Sequence, residues 1–213
     1  MSEPAAADDD DRVDQPPSTR DYRIVAIVLA LVAAGCFGYA AFSKQWLVRG
    51  NVIGFGLREC DDCRAQQCLT LSNSDMVAEW QAQRGDVEYT SGAFAPMGTA
   101  TFVLLLVAAA GLVGAAAIAI ARKQPQLPLA PSTIALLGIA LALITGCVFV
   151  ATKPSPSGPD AAFSSVPSVG VGVCFWVFGA GALAGLAGAS LLAKVNRPRD
   201  PDLMADAMNP DEF

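Results

Sequence analysis

Residues 60–68 read CDDCRAQQC, three cysteines and two aspartates within nine positions of a 213-residue chain that contains no histidine. Three chemistries use cysteines at this spacing. Thiolates of Cys60, Cys63 and Cys68, completed by Asp61 or Asp62, would hold a metal ion. Cys60 and Cys63, in a C-x-x-C arrangement, would cycle between dithiol and disulfide. Any two of the three, oxidised and left so, would staple a loop. The compartment decides among these options, because thiols stay reduced in the cytosol and oxidise outside it. The elements that carry the cluster must therefore be located first.

Hydrophobic residues make up 53% of the chain and charged residues 16%, where an ordinary soluble domain has about a quarter of its residues charged. The apolar residues are concentrated in four stretches, Ile24–Ser43, Met97–Ala121, Ser132–Ala151 and Pro167–Ala193, and none contains Asp, Glu, Lys or Arg. A helix rising 1.5 Å per residue needs about 20 residues to cross roughly 30 Å of hydrocarbon. Four membrane spans are expected. Buried in a soluble protein instead, the same helices would need a polar shell that residues 44–96 are too few to supply. The segment before the first stretch is long and acidic, and no small-x-small site precedes the polar Ser43-Lys44 boundary, so span one reads as a retained anchor rather than a cleaved leader.

Basic residues at span ends set the expected orientation. Arg20 and Arg23 precede span one, Arg122 and Lys123 follow span two, and Lys194, Arg197 and Arg199 follow span four. Those three clusters share one side when both termini do, which places the N and C termini in the cytoplasm. The expected organisation is an acidic cytoplasmic tail over 1–22, a four-helix membrane domain over 23–194 with an outer loop at 44–96, and a second acidic cytoplasmic tail over 195–213. Acidic tails exclude nucleic acid as a partner. The expected location is the plasma (inner) membrane, multi-pass.

This topology carries the cysteine cluster outside, which shifts the expectation toward a structural disulfide. A C-x-x-C-H haem site is excluded because Arg64 follows Cys63, and mixed Cys/His zinc sites are impossible without histidine. The three-thiolate metal site and the Cys60/Cys63 dithiol remain as alternatives, and no thioredoxin-like βαβ pattern surrounds the pair. No metal and no cofactor are expected. Cys60–Cys68, Cys63–Cys68 and Cys60–Cys63 are all formally open as pairings. Cys36, Cys147 and Cys174 fall inside spans, where cysteine behaves as a small hydrophobe.

Trp46 just beyond span one, then Gly56, Leu57 and Cys60 in GFGLREC, then Cys68, resemble the W…G-L-W-x-x-C…C signature of the claudin and peripheral myelin protein superfamily. Arg58 stands where that family has its second tryptophan. Four spans, cytoplasmic termini, a long first outer loop and a short second one are similar to the family as well. The resemblance implies a disulfide between Cys60 and Cys68, with Cys63 the extra thiol. The Ala- and Gly-heavy, lysine-poor composition points to a GC-rich, bacterial source.

The outer loop reads as compatible. KQWLVRG and NVIGFGL are two short strands parted by a turn at Gly50-Asn51. SNSDMVAEWQAQRG reads as a helix with Ser74 as N-cap and Gly85 as C-cap. The expected fold is an all-α membrane protein, a four-transmembrane-helix bundle with a small disulfide-clipped extracytoplasmic β-sheet and a short helix between spans one and two. Gly181, Gly185 and Gly188 form a small-residue face that serves packing within the bundle or self-association across it. Spans without Asp, Glu, Lys, Arg or His argue against transport, and no nucleophile-base or phosphate-binding motif is present. The expected function is that of a structural or interaction protein, not an enzyme. It would act through outer-loop and intramembrane helix contacts with the lipid bilayer and with another membrane protein or itself. The alternatives are an accessory subunit of a larger complex and a thiol redox protein using Cys60 and Cys63.

Overall fold

The computed structural model describes residues 19–50, 52–64, 67–83, 88–89, 92–121, 129–157 and 169–195. Both tails beyond these limits, Asn51, Gly85, and the basic residues Arg122, Lys123, Arg197 and Arg199 lie outside the described residues. Five helices are described: α1 (Thr19–Phe42), α2 (Asn73–Gln83), α3 (Phe94–Ala121), α4 (Pro131–Ala151) and α5 (Val173–Val195). All but α2 are long and apolar enough to cross a membrane. Their outward surfaces are apolar too: Leu183 is 73% exposed, Ile144 61% and Val28 53%. Water would penalise that surface heavily, whereas lipid would not.

The four long helices form a bundle in which α1 and α4 each pack on both α3 and α5. Along α1 the buried positions Ala26, Ala30, Ala33, Phe37 and Ala40 recur at four and three residues, with Ala41 buried beside the last, which keeps one face turned to its neighbours. Facing it, α5 buries Gly181, Gly185 and Gly188. A Cβ at Gly181 would come within 2.7 Å of Cys36 Cβ, and one at Gly188 within 2.9 Å of the Ala30 backbone nitrogen. The three glycines thus pack within the chain, against α1 and, at Gly185, also against Ile139 and Leu112. Between α3 and α4 the Thr101 hydroxyl donates to Thr145 Oγ1 at 2.9 Å, a cross-helix polar contact inside otherwise apolar surroundings.

A five-stranded antiparallel sheet covers the end of the bundle where α1 and α4 finish and α3 and α5 begin. Its order is β4-β3-β2-β1-β7. The hairpin of β1 (Leu47–Arg49) and β2 (Ile53–Phe55) turns at Gly50, whose φ of 59° favours glycine. Two further strands, β3 (Glu59–Arg64) and β4 (Gln67–Ser72), form a second hairpin, and β7 (Gly170–Val171) joins β1 from the α4–α5 connection. A separate pair links β5 (Glu88–Tyr89) and β6 (Pro156–Ser157).

Two boundaries correct the sequence reading. Residues 169–172, expected inside span four, include strand β7, and α5 starts at Val173. The run VGVG satisfies a hydropathy window, but its backbone is committed to the sheet: Gly172 N–H donates to Trp46 O at 2.8 Å and Cys174 N–H to Gln45 O at 3.1 Å. In α2 the cap is Ser72 rather than Ser74. Ser72 Oγ accepts the Asp75 N–H at 3.1 Å, the third residue of the helix, while Ser74 Oγ sits 2.9 Å from Ser72 Oγ.

Gly98 on α3 lies against the Leu57 carbonyl and Phe149, and a Cβ there would clash with backbone. Gly98→Ala should therefore destabilise by about 1–3 kcal/mol, whereas Gly35→Ala on α1, where a Cβ meets nothing within 4 Å, should be neutral or stabilising. Thermal denaturation in detergent compares the two; equal losses would contradict the packing.

Candidate functional site

The site defined by the cysteines and the Trp46 motif is the junction between sheet and bundle. It begins at Trp46, which is fully buried. Its indole lies 5.1 Å from Phe178, 6.0 Å from Phe149 and 6.3 Å from Phe175, centroid to centroid. The indole N–H donates to Ala40 O at 2.6 Å. That carbonyl belongs to the last turn of α1, where no intrahelical N–H remains for it, so a buried donor and an orphan acceptor satisfy each other. The Cys174 thiol reaches the same carbonyl at 3.9 Å.

From Trp46 the aromatic contacts continue outward. Phe149 stacks on Phe94 at 4.6 Å, Phe94 meets Phe55 of β2 at 6.0 Å, and Phe55 meets Trp80 of α2 at 5.7 Å. Helix α2 is also fixed through Asn73, buried at its first turn. Asn73 Nδ2 donates to Gly56 O at 3.0 Å and its N–H to Arg58 O at 3.1 Å, which clamps the turn between β2 and β3.

Each residue of the sequence motif has a physical place. Gly56 lies where a Cβ would approach Ser43 O to 2.9 Å. Leu57 is buried with its carbonyl against Gly98. Cys60 is buried on β3. Cys68 stands on β4 and is exposed.

The disulfide corrects the expected pairing. Cys63 bonds Cys68, and Cys60 is a free thiol. The reason is register. In the β3–β4 hairpin Cys63 is directly opposite Cys68, with Cα atoms 4.0 Å apart, while Cys60 is opposite Leu71. Side chains alternate faces along a strand, so positions 60 and 63 point to opposite sides. Cys60 is turned inward with its Sγ 3.6 Å from Leu71 O, and Cys63 outward. Burial pushes the Cys60 thiol up to about 11, and the neighbouring Asp61 and Asp62 charges add to the rise although the Leu71 hydrogen bond opposes it. The structure does not bring Cys60 and Cys63 together as a dithiol, nor the three sulfurs together as ligands. Among the described residues no group of three His, Cys, Asp or Glu is placed to hold a metal ion.

Asp61 instead meets Lys44. The ammonium lies 2.7 Å from Asp61 Oδ1, the Thr70 hydroxyl donates to the same oxygen at 2.6 Å, and Glu59 lies 3.9 Å from Lys44 Nζ. Burial alone would raise the Asp61 carboxyl, but the Lys44 and Thr70 hydrogen bonds and the Lys44 charge hold it below its ordinary value. Lys153 Nζ donates to Val169 O at 2.5 Å, tying the α4–α5 connection down beside β7. Asn73, Phe94 and Phe149 were not singled out by the sequence. Lys44 and Lys153, the first charges beyond spans one and three, had a local signal as basic residues of the outer side, but their partners did not.

Fold and site together define a four-helix bundle of membrane-spanning length capped by a disulfide-bearing antiparallel sheet. Neither models of known protein families nor curated protein sequences match the chain.

Cleavage before Asp61 and Asp62 and after Arg64, without reductant, should leave Cys63 and Cys68 joined and Cys60 released. Cys63→Ser should cost about 2 kcal/mol in the chain-entropy account, and Cys60 should resist alkylation at pH 8 until the protein unfolds. Recovery of Cys60 joined to Cys68 would reverse the assignment.

Because the folded Asp61 carboxyl sits below its unfolded value, its contribution is present above the ordinary carboxylate range. It is lost as pH falls through the lowered folded value. Both partners are partly exposed, so the contribution should be at most about 1 kcal/mol. Stability of wild type and Asp61→Asn should differ at pH 7 and converge toward pH 2; a difference unchanged by acid would exclude the ion pair as its source.

Proposed function

We propose that the protein is an integral membrane structural or interaction protein of claudin-like architecture, working through contacts rather than chemistry. It is oriented with both termini in the cytoplasm and the sheet on the outer side of the plasma membrane. The observation that carries this reading is the junction itself, where a sheet is packed on the bundle and presents a terminal strand, β4, with Leu69 59% exposed. Exposed strand edges are surfaces on which partner chains add or pack. The cysteines add support: one pair is closed on itself and Cys60 is protonated and buried, which leaves no poised thiolate in the sheet. The helices contribute no Asp, Glu, Lys, Arg or His between Ile24 and Phe42, Met97 and Ala121, Pro131 and Ala151, or Val173 and Ala193, where proton or ion coupling would need one. The partner is another membrane protein or a second copy of this chain.

Pull-down from membranes in mild detergent should recover a stoichiometric partner or the homo-oligomer. Leu69→Asp should lower that recovery about tenfold, as expected for loss of an apolar contact at the centre of an interface, while the Cys63–Cys68 bridge still forms. A solitary monomer, indifferent to the substitution, would defeat the contact reading.

A further inference from the structure

A cavity of about 200 Å³ opens beside the junction, with Phe42, Lys44, Arg58, Glu59 and Phe102 in its lining. Three features define its chemistry. Its cationic group is Arg58, exposed, with its guanidinium 5.2 Å from the centre of the Phe102 ring. Among the described residues no carboxylate lies within ion-pair distance of Arg58. Its anionic group is the adjacent Glu59, whose side chain is 53% exposed and whose only ion-pair contact among the described residues is the 3.9 Å approach to Lys44. Lys44 itself is directed at Asp61. The floor is aromatic: Phe42 is 70% exposed and meets Phe102 edge to face at 5.6 Å.

The position is equally specific. Phe42 ends α1 and Phe102 lies two turns into α3, so the cavity sits where the apolar outer surface of the bundle gives way to the sheet. Below it on α3 the outward residues are Val103, Leu106 and Val107, each between 38% and 51% exposed. A ligand here meets charge at one end and continuous apolar surface at the other. The volume is below the roughly 300 Å³ at which pockets begin to enclose whole small molecules, so a headgroup fits and its chains remain outside.

We propose that this cavity seats the headgroup of a zwitterionic aminophospholipid, with its phosphate on Arg58 and its ammonium on Glu59. Phe42 and Phe102 support the glycerol and the first carbons of the acyl chains. The pairing of Arg58, which has no carboxylate partner among the described residues, with the half-exposed Glu59, held only at 3.9 Å by Lys44, selects this class over a purely anionic lipid, whose phosphate and hydroxyls would bring like charge to Glu59. Arginine suits the phosphate because its planar fork binds two oxygens at once, and a ring beneath it holds the fork in place. The inference rests on the reading of the long helices as membrane spans, and goes beyond contact with protein partners.

The test uses the full chain purified in detergent and titrated with dioleoyl phosphatidylethanolamine, dioleoyl phosphatidylglycerol or free phosphoethanolamine, followed by native mass spectrometry and thermal shift. Phosphatidylethanolamine should bind and stabilise the wild type in preference to phosphatidylglycerol. Arg58→Gln should weaken that binding about tenfold, the loss of one charge-assisted contact. Glu59→Gln should invert the preference between the two lipids. Free phosphoethanolamine should bind far more weakly than the lipid, because it lacks the chains that meet Phe42 and Phe102; equal affinity would show a soluble-ligand site and overturn the lipid assignment. Equal phosphatidylethanolamine binding by wild type and Arg58→Gln, or a wild-type preference for phosphatidylglycerol, would also overturn it. Since Arg58 and Glu59 are exposed, retention of the Cys63–Cys68 bridge and of helix content separates a lost site from a lost fold. Failure of the chain to enter lipid bilayers at all would instead defeat the membrane reading on which the site depends.

Discussion

The fold depends on a single tryptophan filling the open mouth of the helix bundle. At that end the last carbonyls of α1 lack intrahelical partners, and the four helices leave room that small side chains cannot close. Trp46 resolves both problems, because its ring supplies area against Phe149, Phe175 and Phe178 and its one donor is aimed at Ala40 O. A phenylalanine would fill much of the space and leave the carbonyl unpaired, at a cost of about 1–3 kcal/mol for a buried polar group. A smaller residue would open a cavity among rings whose contacts stabilise only when complete.

The rest of the outer layer is built outward from that plug. Backbone atoms flanking the indole are already occupied: Gln45 O and Trp46 O receive N–H groups from Cys174 and Gly172. The strand that follows, β1, is therefore held between β2 and β7 before any contact of its own side chains is considered. Gly172 has no Cβ because the Gln45 carbonyl stands where one would be. Aromatic rings then carry the contact through Phe94 and Phe55 to Trp80, so α2 is joined to the core of the bundle without touching most of it. A two-stranded hairpin is marginal alone in water. Here it is stabilised by pairing on both sides and by a buried inner face at Leu47, Ile53, Phe55 and Cys60.

Much of this was legible from residue types. Four uncharged stretches of membrane-crossing length, a turn at Gly50 and a helix around Trp80 are local signals, and each corresponds to an element. The β3–β4 hairpin was not legible, because ECDDCR has strand geometry without strand composition. Its stability comes from Lys44, Thr70 and the disulfide rather than from β-branched residues. The cysteine pairing failed for the same reason. Spacing along the chain does not reveal strand register, and a family resemblance supplied Cys60–Cys68 where the alternation of faces permits only Cys63–Cys68. Strand β7 was hidden because two valines and two glycines between apolar neighbours read like the start of a span. Phe94 and Phe149 were invisible among other apolar residues, their importance arising only from where the chain brings them.

Alternation along β3 also explains why a cluster so rich in reactive side chains is chemically quiet. Cys60 faces inward and is desolvated beside the Asp61 and Asp62 charges, which favours the thiol over the thiolate. Asp61, on the opposite face, is neutralised by Lys44 and held by Thr70. Cys63, two residues further on that face, is consumed by Cys68. Cys60 therefore serves the core, while Asp61 and Cys63 on the other face close the surface. A metal ion would require three of these groups to converge, and a redox couple would require two thiols on one side of the strand. The pleat of a single β-strand forbids both arrangements for Cys60 with Cys63. At the start of that pleat the closure is looser: Arg58, one residue before β3, has no carboxylate partner among the described residues, and Glu59, at its first position, meets Lys44 only at 3.9 Å.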